Sequence, residues 1–119
     1  MQMTNIKLFE LAAKAYGLYE EYPEPDYTVE ATPYGVFVSG KNTYFEWNPR
    51  DNNSHAFDLA FSKLHMKVYP GEAYCWDEEV ADYSTRFCGV CDEDENPDVI
   101  VATRLAIFRA AVAVGKEMK

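Results

Sequence analysis

The stretch NPDVIVATRLAIFRAAVAVGKEMK, at the end of the chain, leaves the fewest options open. Val101, Leu105, Phe108 and Val112 recur at helical spacing and form one apolar stripe that runs through to Gly115. Asn96 and Pro97 mark its start, Asn as the cap and Pro in the first turn, where a missing N–H costs nothing. The acids just before them favour the positive end of the helix dipole, and Lys116 and Lys119 lie near the negative end.

The segments upstream supply the surface on which such a helix packs. Asn5 to Tyr16 reads as a first helix, with Thr4 as cap, Leu8, Leu11, Ala12 and Ala15 on one face, and Gly17 placed to end it. EEYPEPDY, from Glu20 to Tyr27, is too rich in proline and acid for a regular element and is expected to be a loop. Tyr34 to Ser39 and Thr43 to Trp47 read as a hairpin around Gly40-Lys41-Asn42. Pro49 stops the second strand, and DNNS offers N-caps for a helix from about His55 to Leu64. Its expected buried stripe is Phe57, Ala60, Phe61 and Leu64. HMKVYP, EAYCWD and STRFCGV read as three further strands, with a turn at Pro70-Gly71.

The order is α-β-β-α-β-β-(β)-α. It predicts one α+β domain over residues 1–119, an antiparallel sheet of four or five strands with helices packed on it, as in an α/β/α sandwich. A chain of 119 residues buries roughly two-thirds of its unfolded surface, so it needs no metal or disulfide to fold. No apolar run approaches the roughly 18 residues of a membrane span, and the N-terminal segment lacks the core of a signal peptide. Three cysteines without an export signal fit reduced thiols, so a cytosolic setting is expected.

The formal charge of −9 is unevenly spread. Asp77 to Asp98 holds nine acidic residues and one basic residue, Arg86, a net −8 within that block. A field of this sign repels phosphate backbones, and the eleven Lys and Arg form no patch, so direct nucleic-acid binding is not expected.

Motifs with chemistry in them are few. Cys88-Gly-Val-Cys91 has redox or half-zinc spacing, but no second C-x-x-C or H-x₃₋₅-H completes a zinc ribbon and loop residues follow. DEDENPD has consecutive acids and no glycine, unlike an EF-hand loop. His55 and His65 sit singly at the two ends of one expected helix, with Asp51 or Asp58 as local partners for His55 and no marked nucleophile. Arg104 and Arg109 lie about 140° apart on the closing helix at roughly 100° per residue, too far to make one fork. Tyr16, Tyr19, Tyr22, Tyr27 and Tyr83 lie near turns, as core edge or as contact surface. The reading is of a non-enzyme with no catalytic residues, no metal and no cofactor.

Four segments carry a resemblance. WNPRDNNSHAFDLAFSKL resembles the WNP-(polar)-(A)-x-x-L-A-x-K-L signature of the phage ABA sandwich domain, a family of small bacteriophage and prophage proteins. KLFELAAKAYGL looks like the opening helix of that family, VFVSGKNTYFEWNP like the hairpin leading into the signature, and ATRLAIFRAAVAVG like its closing ATR-x-AI-x-RAA-x-x-G helix. The resemblance implies a phage source, a helix–sheet–helix layering and the host cytoplasm as the place of action. It implies no catalytic residues.

The functional expectation is an accessory protein that binds a host protein or defence complex. Its candidate contact residues are Asp77, Glu78, Glu79, Asp82, Asp92, Glu93, Asp94 and Glu95, an acidic surface able to imitate a phosphate backbone. The alternative is a protein that sequesters a small ligand or nucleotide in a pocket near the strand–helix junction.

Overall fold

The computed structural model describes residues 3–118. Lys119, expected at the negative end of the last helix, lies outside the described residues. Helix α1 spans Asn5–Tyr16. Thr4 accepts the Lys7 N–H as its N-cap, and Gly17 ends the helix in the left-handed conformation. A single turn, α2 (Leu18–Glu21), follows. Strands β1 (Tyr27–Thr32), β2 (Gly35–Gly40) and β3 (Tyr44–Trp47) form an antiparallel meander. Helix α3 (Asn53–Phe57) runs into a π-helical segment, Asp58–Lys63. Strands β4 (Lys67–Tyr69), β5 (Glu72–Asp77) and β6 (Asp82–Val90) form a second meander, and α4 (Val99–Glu117) closes the chain.

The fold is mixed α+β, as expected, but its strands form two three-stranded sheets and not one sheet of four or five. Helix α1 packs on β1 and β2, α4 packs on β5 and β6, and the two helices pack on each other. The helix pair thus joins the two sheets, each helix packing on a different one. The sequence of α4 suits an inner position. Ala102, Ala106, Ala110 and Ala111 are buried along with Ile107, Phe108 and Val112, so its buried surface is wider than one stripe and is built of small residues that allow close approach. Val101 and Leu105, expected in that stripe, are only half-buried.

Two glycines set the helix spacing. A Cβ at Gly89 of β6 would run into the Ala106 carbonyl of α4, and one at Gly115 into the Leu11 carbonyl of α1. Gly115 is therefore a contact point inside the helix, not its end. Rings of Phe9 and Phe108, 5.2 Å apart, complete the interhelical core.

Three further expectations need correction. The segment from Glu20 to Tyr27 does not end in a loop, because Tyr27 opens β1 and pairs with Gly40. Asn96 does not cap α4, and Pro97 precedes the cap and is not in the first turn. The Asn96 side chain accepts the Asp98 N–H, and Asp98 itself caps the helix by accepting from Ile100 and Val101. The third correction concerns the helix after Pro49. Its inner face is Ala56, Leu59 and Ala60, one residue earlier than the expected stripe, and from Asp58 the segment is π-helical. Phe57 and Phe61 stack on each other, 6.1 Å apart, on the exposed side.

Candidate functional site

The signature segment closes on itself. Asn48 is 6% exposed, and its amide donates to the Tyr34 carbonyl at 2.7 Å and to Asp51 Oδ2 at 3.1 Å. Its side-chain oxygen accepts the Asp51 N–H, and its backbone N–H donates to His55 Nδ1 at 2.8 Å. His55 thus serves as a fixed acceptor in a turn, and His65 is exposed, at the end of the π-helical segment. Arg50 binds Asp51, reaches the Pro33 carbonyl and lies over the Phe9 ring, 4.8 Å from its centroid. Its guanidinium is the main reason the Asp51 carboxyl is held below the ordinary value of 3.8. Pro49 is fully buried, so the β3–α3 joint is packed largely by its own side chains, and Arg50 borders a cavity of about 330 Å³ that it shares with Leu8, Leu105 and Phe108.

The acidic block divides into two groups. Asp77 to Asp82 sit at the β5–β6 turn, and Asp92 to Glu95 follow the far end of β6. The nine residues of that strand put roughly 27 Å between them at about 3.3 Å per residue. Nor are all eight carboxylates surface groups. Asp77 is 2% exposed and accepts hydrogen bonds from the Glu79 N–H, the Ser84 hydroxyl and the Arg86 guanidinium. Glu79 pairs with Arg86 at 2.7 Å. Asp92 accepts the Glu95 N–H, and Glu95 pairs with Arg109, which holds the glutamate below its ordinary value. Asp82 accepts only the neighbouring Tyr83 N–H. Glu78, Glu93 and Asp94 are exposed.

Cysteine chemistry finds no setting here. Cys91 is 1% exposed, and burial raises its thiol pKa. Cys88 donates to the Thr85 carbonyl, and Cys75, inside the second sheet, is pushed up to about 12 by burial. No group of three or more His, Cys, Asp or Glu suited to a metal ion occurs among the described residues. No helix among them is long and apolar enough to cross a membrane.

One open aromatic surface is the outer face of the β4–β5–β6 sheet; Tyr34, Tyr44 and the Phe57–Phe61 pair are exposed elsewhere. Burial alternates along β5, with Ala73, Cys75 and Asp77 inward and Glu72, Tyr74 and Trp76 outward. Lys67 and Tyr69 of β4 and Tyr83 of β6 share the outer side. Trp76 and Tyr83 meet edge to face at 5.5 Å, as do Tyr69 and Tyr74 at 6.3 Å, and the Lys67 ammonium lies 5.6 Å from the Tyr83 ring centre. The outer edge of this cluster meets the turn that carries Glu78 and Glu79. Sequence reasoning named Tyr83 and the turn acids but missed Tyr69 and Trp76. The alternation Lys67-x-Tyr69 and Glu72-x-Tyr74-x-Trp76 was the signal for them. Of the other tyrosines near turns, Tyr16 packs on Trp47 at 5.0 Å, and Tyr22 packs on Tyr27 and Phe45.

The fold and this face define a small acidic α+β protein with an aromatic surface on its second sheet. Comparison with protein-family models, curated proteins and solved structures finds no match to the chain.

Proposed function

We propose that the protein works by binding, with the outer face of the β4–β5–β6 sheet docking on a basic surface of another protein. The observation that carries this reading is the half-exposed Trp76–Tyr83 pair on a sheet face, set against the acids of the β5–β6 turn. Aromatic side chains on a rigid strand give contact area at low entropic cost, and Trp and Tyr dominate binding energy where they occur in interfaces. Carboxylates at the rim steer a positively charged partner and set orientation more than affinity.

Of the eight acidic candidates, Glu78, Glu79 and Asp82 adjoin this face, while Asp77 supports it from inside. The resemblance of WNPRDNNSHAFDLAFSKL and its flanking segments to the phage ABA sandwich domain supports a bacterial host protein or defence complex as the partner, met in the host cytoplasm. The net charge of −9 favours this reading over the sequestering of a nucleotide, whose phosphates it repels.

The test is capture of partners from bacterial lysate by the full chain and by two variants, Trp76→Ala with Tyr83→Ala, and Glu78→Lys with Asp82→Lys. The expected partner is basic, is lost with the aromatic variant, and is weakened by the charge variant and by rising salt. A partner held equally by all three chains, or one that protects the α3 side from hydrogen exchange and leaves β4 to β6 unprotected, overturns the proposal.

A further inference from the structure

At the other end of β6 from the acidic turn, β6, α4 and the β4–β5 turn enclose a cavity of about 340 Å³. This lies at the small end of the range for small-molecule sites, roughly 300 to 1,000 Å³. The floor is fixed by hydrogen bonds from all three elements. The Gly71 N–H donates to Thr103 Oγ1 at 2.9 Å, the Cys91 N–H donates to the Gly71 carbonyl at 2.8 Å, and the Thr103 hydroxyl donates to the Val99 carbonyl at 2.7 Å. A Cβ at Gly71 would stand 2.6 Å from the Cys91 oxygen, so the turn fits only with glycine there. The space is thus built by the fold and needs no partner to form it.

Its chemistry is one-sided. Pro70, Val90, Pro97, Val99 and Ala102 supply apolar walls, and Val90 and Val99 remain about half exposed at 49% and 54%. The acidic residues that line it are Glu72, Asp92 and Glu93, of which Glu72 turns its carboxylate to the Tyr74 hydroxyl on the outer face, and no lysine, arginine or histidine is among the lining residues. Glu95 nearby is already neutralised by Arg109, and Asp92 uses one oxygen on the Glu95 N–H, leaving the other free. Arg109, which donates to the Val90 carbonyl, is held by Glu95, so apolar walls with Asp92 and Glu93 beside them disfavour phosphates and carboxylic acids and favour a positive group on an apolar body.

We propose that this cavity binds a small organic cation, a primary ammonium on a compact hydrocarbon frame. The frame lies against Val90, Pro97 and Val99, and the ammonium, with three N–H donors, is held by Asp92 and Glu93. This site is separate from the aromatic face and does not depend on the protein-binding reading.

The test is a titration of the isotope-labelled full chain, followed by amide NMR at low ionic strength, with cyclohexylammonium, cyclohexanol and cyclohexanecarboxylate. Cyclohexylammonium is expected to give saturable shifts centred on Gly71, Cys91 and Ala102. Asp92→Asn and Glu93→Gln should each weaken it about two- to fivefold, the range for partly exposed charge pairs, and leave cyclohexanol unaffected. Val99→Trp, at an exposed position in the first turn of α4, should fill the cavity and abolish the shifts while the rest of the spectrum reports an intact fold. Equal binding of the alcohol and the ammonium overturns the proposal. So do shifts that never saturate or centre elsewhere, and unchanged affinity in both carboxylate variants.

Discussion

Arg104 of α4 donates its Nε–H to the backbone carbonyl of Arg50 at 2.6 Å, joining the closing helix to the turn after β3. A second nitrogen of the same guanidinium donates to Asn53 Oδ1 at 2.9 Å, at the start of α3. Arg50 in turn covers Phe9 of α1 and reaches the Pro33 carbonyl between β1 and β2. Two arginines thereby tie both sheet-bearing halves and three helices to one turn. The fork of a guanidinium makes this possible, because it offers several donors in a fixed plane.

Arg104→Lys should therefore behave almost as badly as Arg104→Ala. The two bonds leave from separate nitrogens of the planar fork, which a lysine with all its donors on one nitrogen does not reproduce, and a lost bond to a partly buried acceptor costs about 1–3 kcal/mol. The expected outcome is a melting temperature several degrees lower for both variants, measured by thermal unfolding. A lysine variant as stable as the parent would show that the tie to Arg50 adds little.

Asp77 offers a sharper separation of structure from surface. Removing its carboxylate leaves the Ser84 hydroxyl, the Glu79 N–H and one guanidinium contact of Arg86 without an acceptor in a buried place. Asp77→Ala should cost about 2–4 kcal/mol, in line with broken buried networks, whereas Glu78→Gln one residue on should stay within about 0.5 kcal/mol. Urea unfolding of the two variants checks this. It also shows which acids can be changed in a binding experiment without disturbing the fold.

The sequence disclosed those parts of the structure that depend on near neighbours. Thr4 and Gly17 bracket α1 at the expected residues because capping is local, and the β2–β3 hairpin follows from Gly40-Lys41-Asn42 for the same reason. What it hid depends on distant partners. Nothing local states that β3 and β4 fail to pair, or that α1 and α4 each pack on a different sheet and on each other. Strand β1 was masked by the prolines before it, although Tyr27, Val29 and Ala31 alternate toward the core. Phe57 and Phe61 lie on the outer side because the buried face sits one residue earlier, at Ala56, Leu59 and Ala60, and helical spacing alone does not fix that phase. The acidic block looked continuous in one dimension, and β6 carries its two ends apart.

Thiol reactivity follows from burial. Cys75 and Cys91 are 3% and 1% exposed, and both thiols are raised by loss of solvation, so neither supplies thiolate at mild pH. A disulfide reagent at pH 8 should modify at most the partly exposed Cys88 in the native protein, and all three cysteines after denaturation. Rapid modification of two thiols in the folded chain would revive a redox reading of the C-x-x-C.

Stability should fall on both sides of neutrality, for different groups. On the acid side, hydrogen bonds from Arg50 hold the Asp51 carboxyl below its ordinary 3.8, and those from Arg109 hold Glu95 below 4.5. A depressed carboxyl contributes its full stabilisation above the unfolded value and loses it as pH falls through the folded one. Asp51→Asn should accordingly flatten the loss of stability below about pH 4, by less than about 1 kcal/mol because the pair is half exposed. On the alkaline side, burial and then the 2.5 Å bond to Asp58 raise the Tyr16 hydroxyl above its ordinary 10.0. The unfolded chain releases that proton first, so stability is complete below pH 10 and declines as pH rises beyond it. Tyr16→Phe should remove part of that decline while leaving the acid limb unchanged. Urea midpoints from pH 2.5 to 11 decide it, and identical alkaline limbs for parent and variant would exclude Tyr16 as their source.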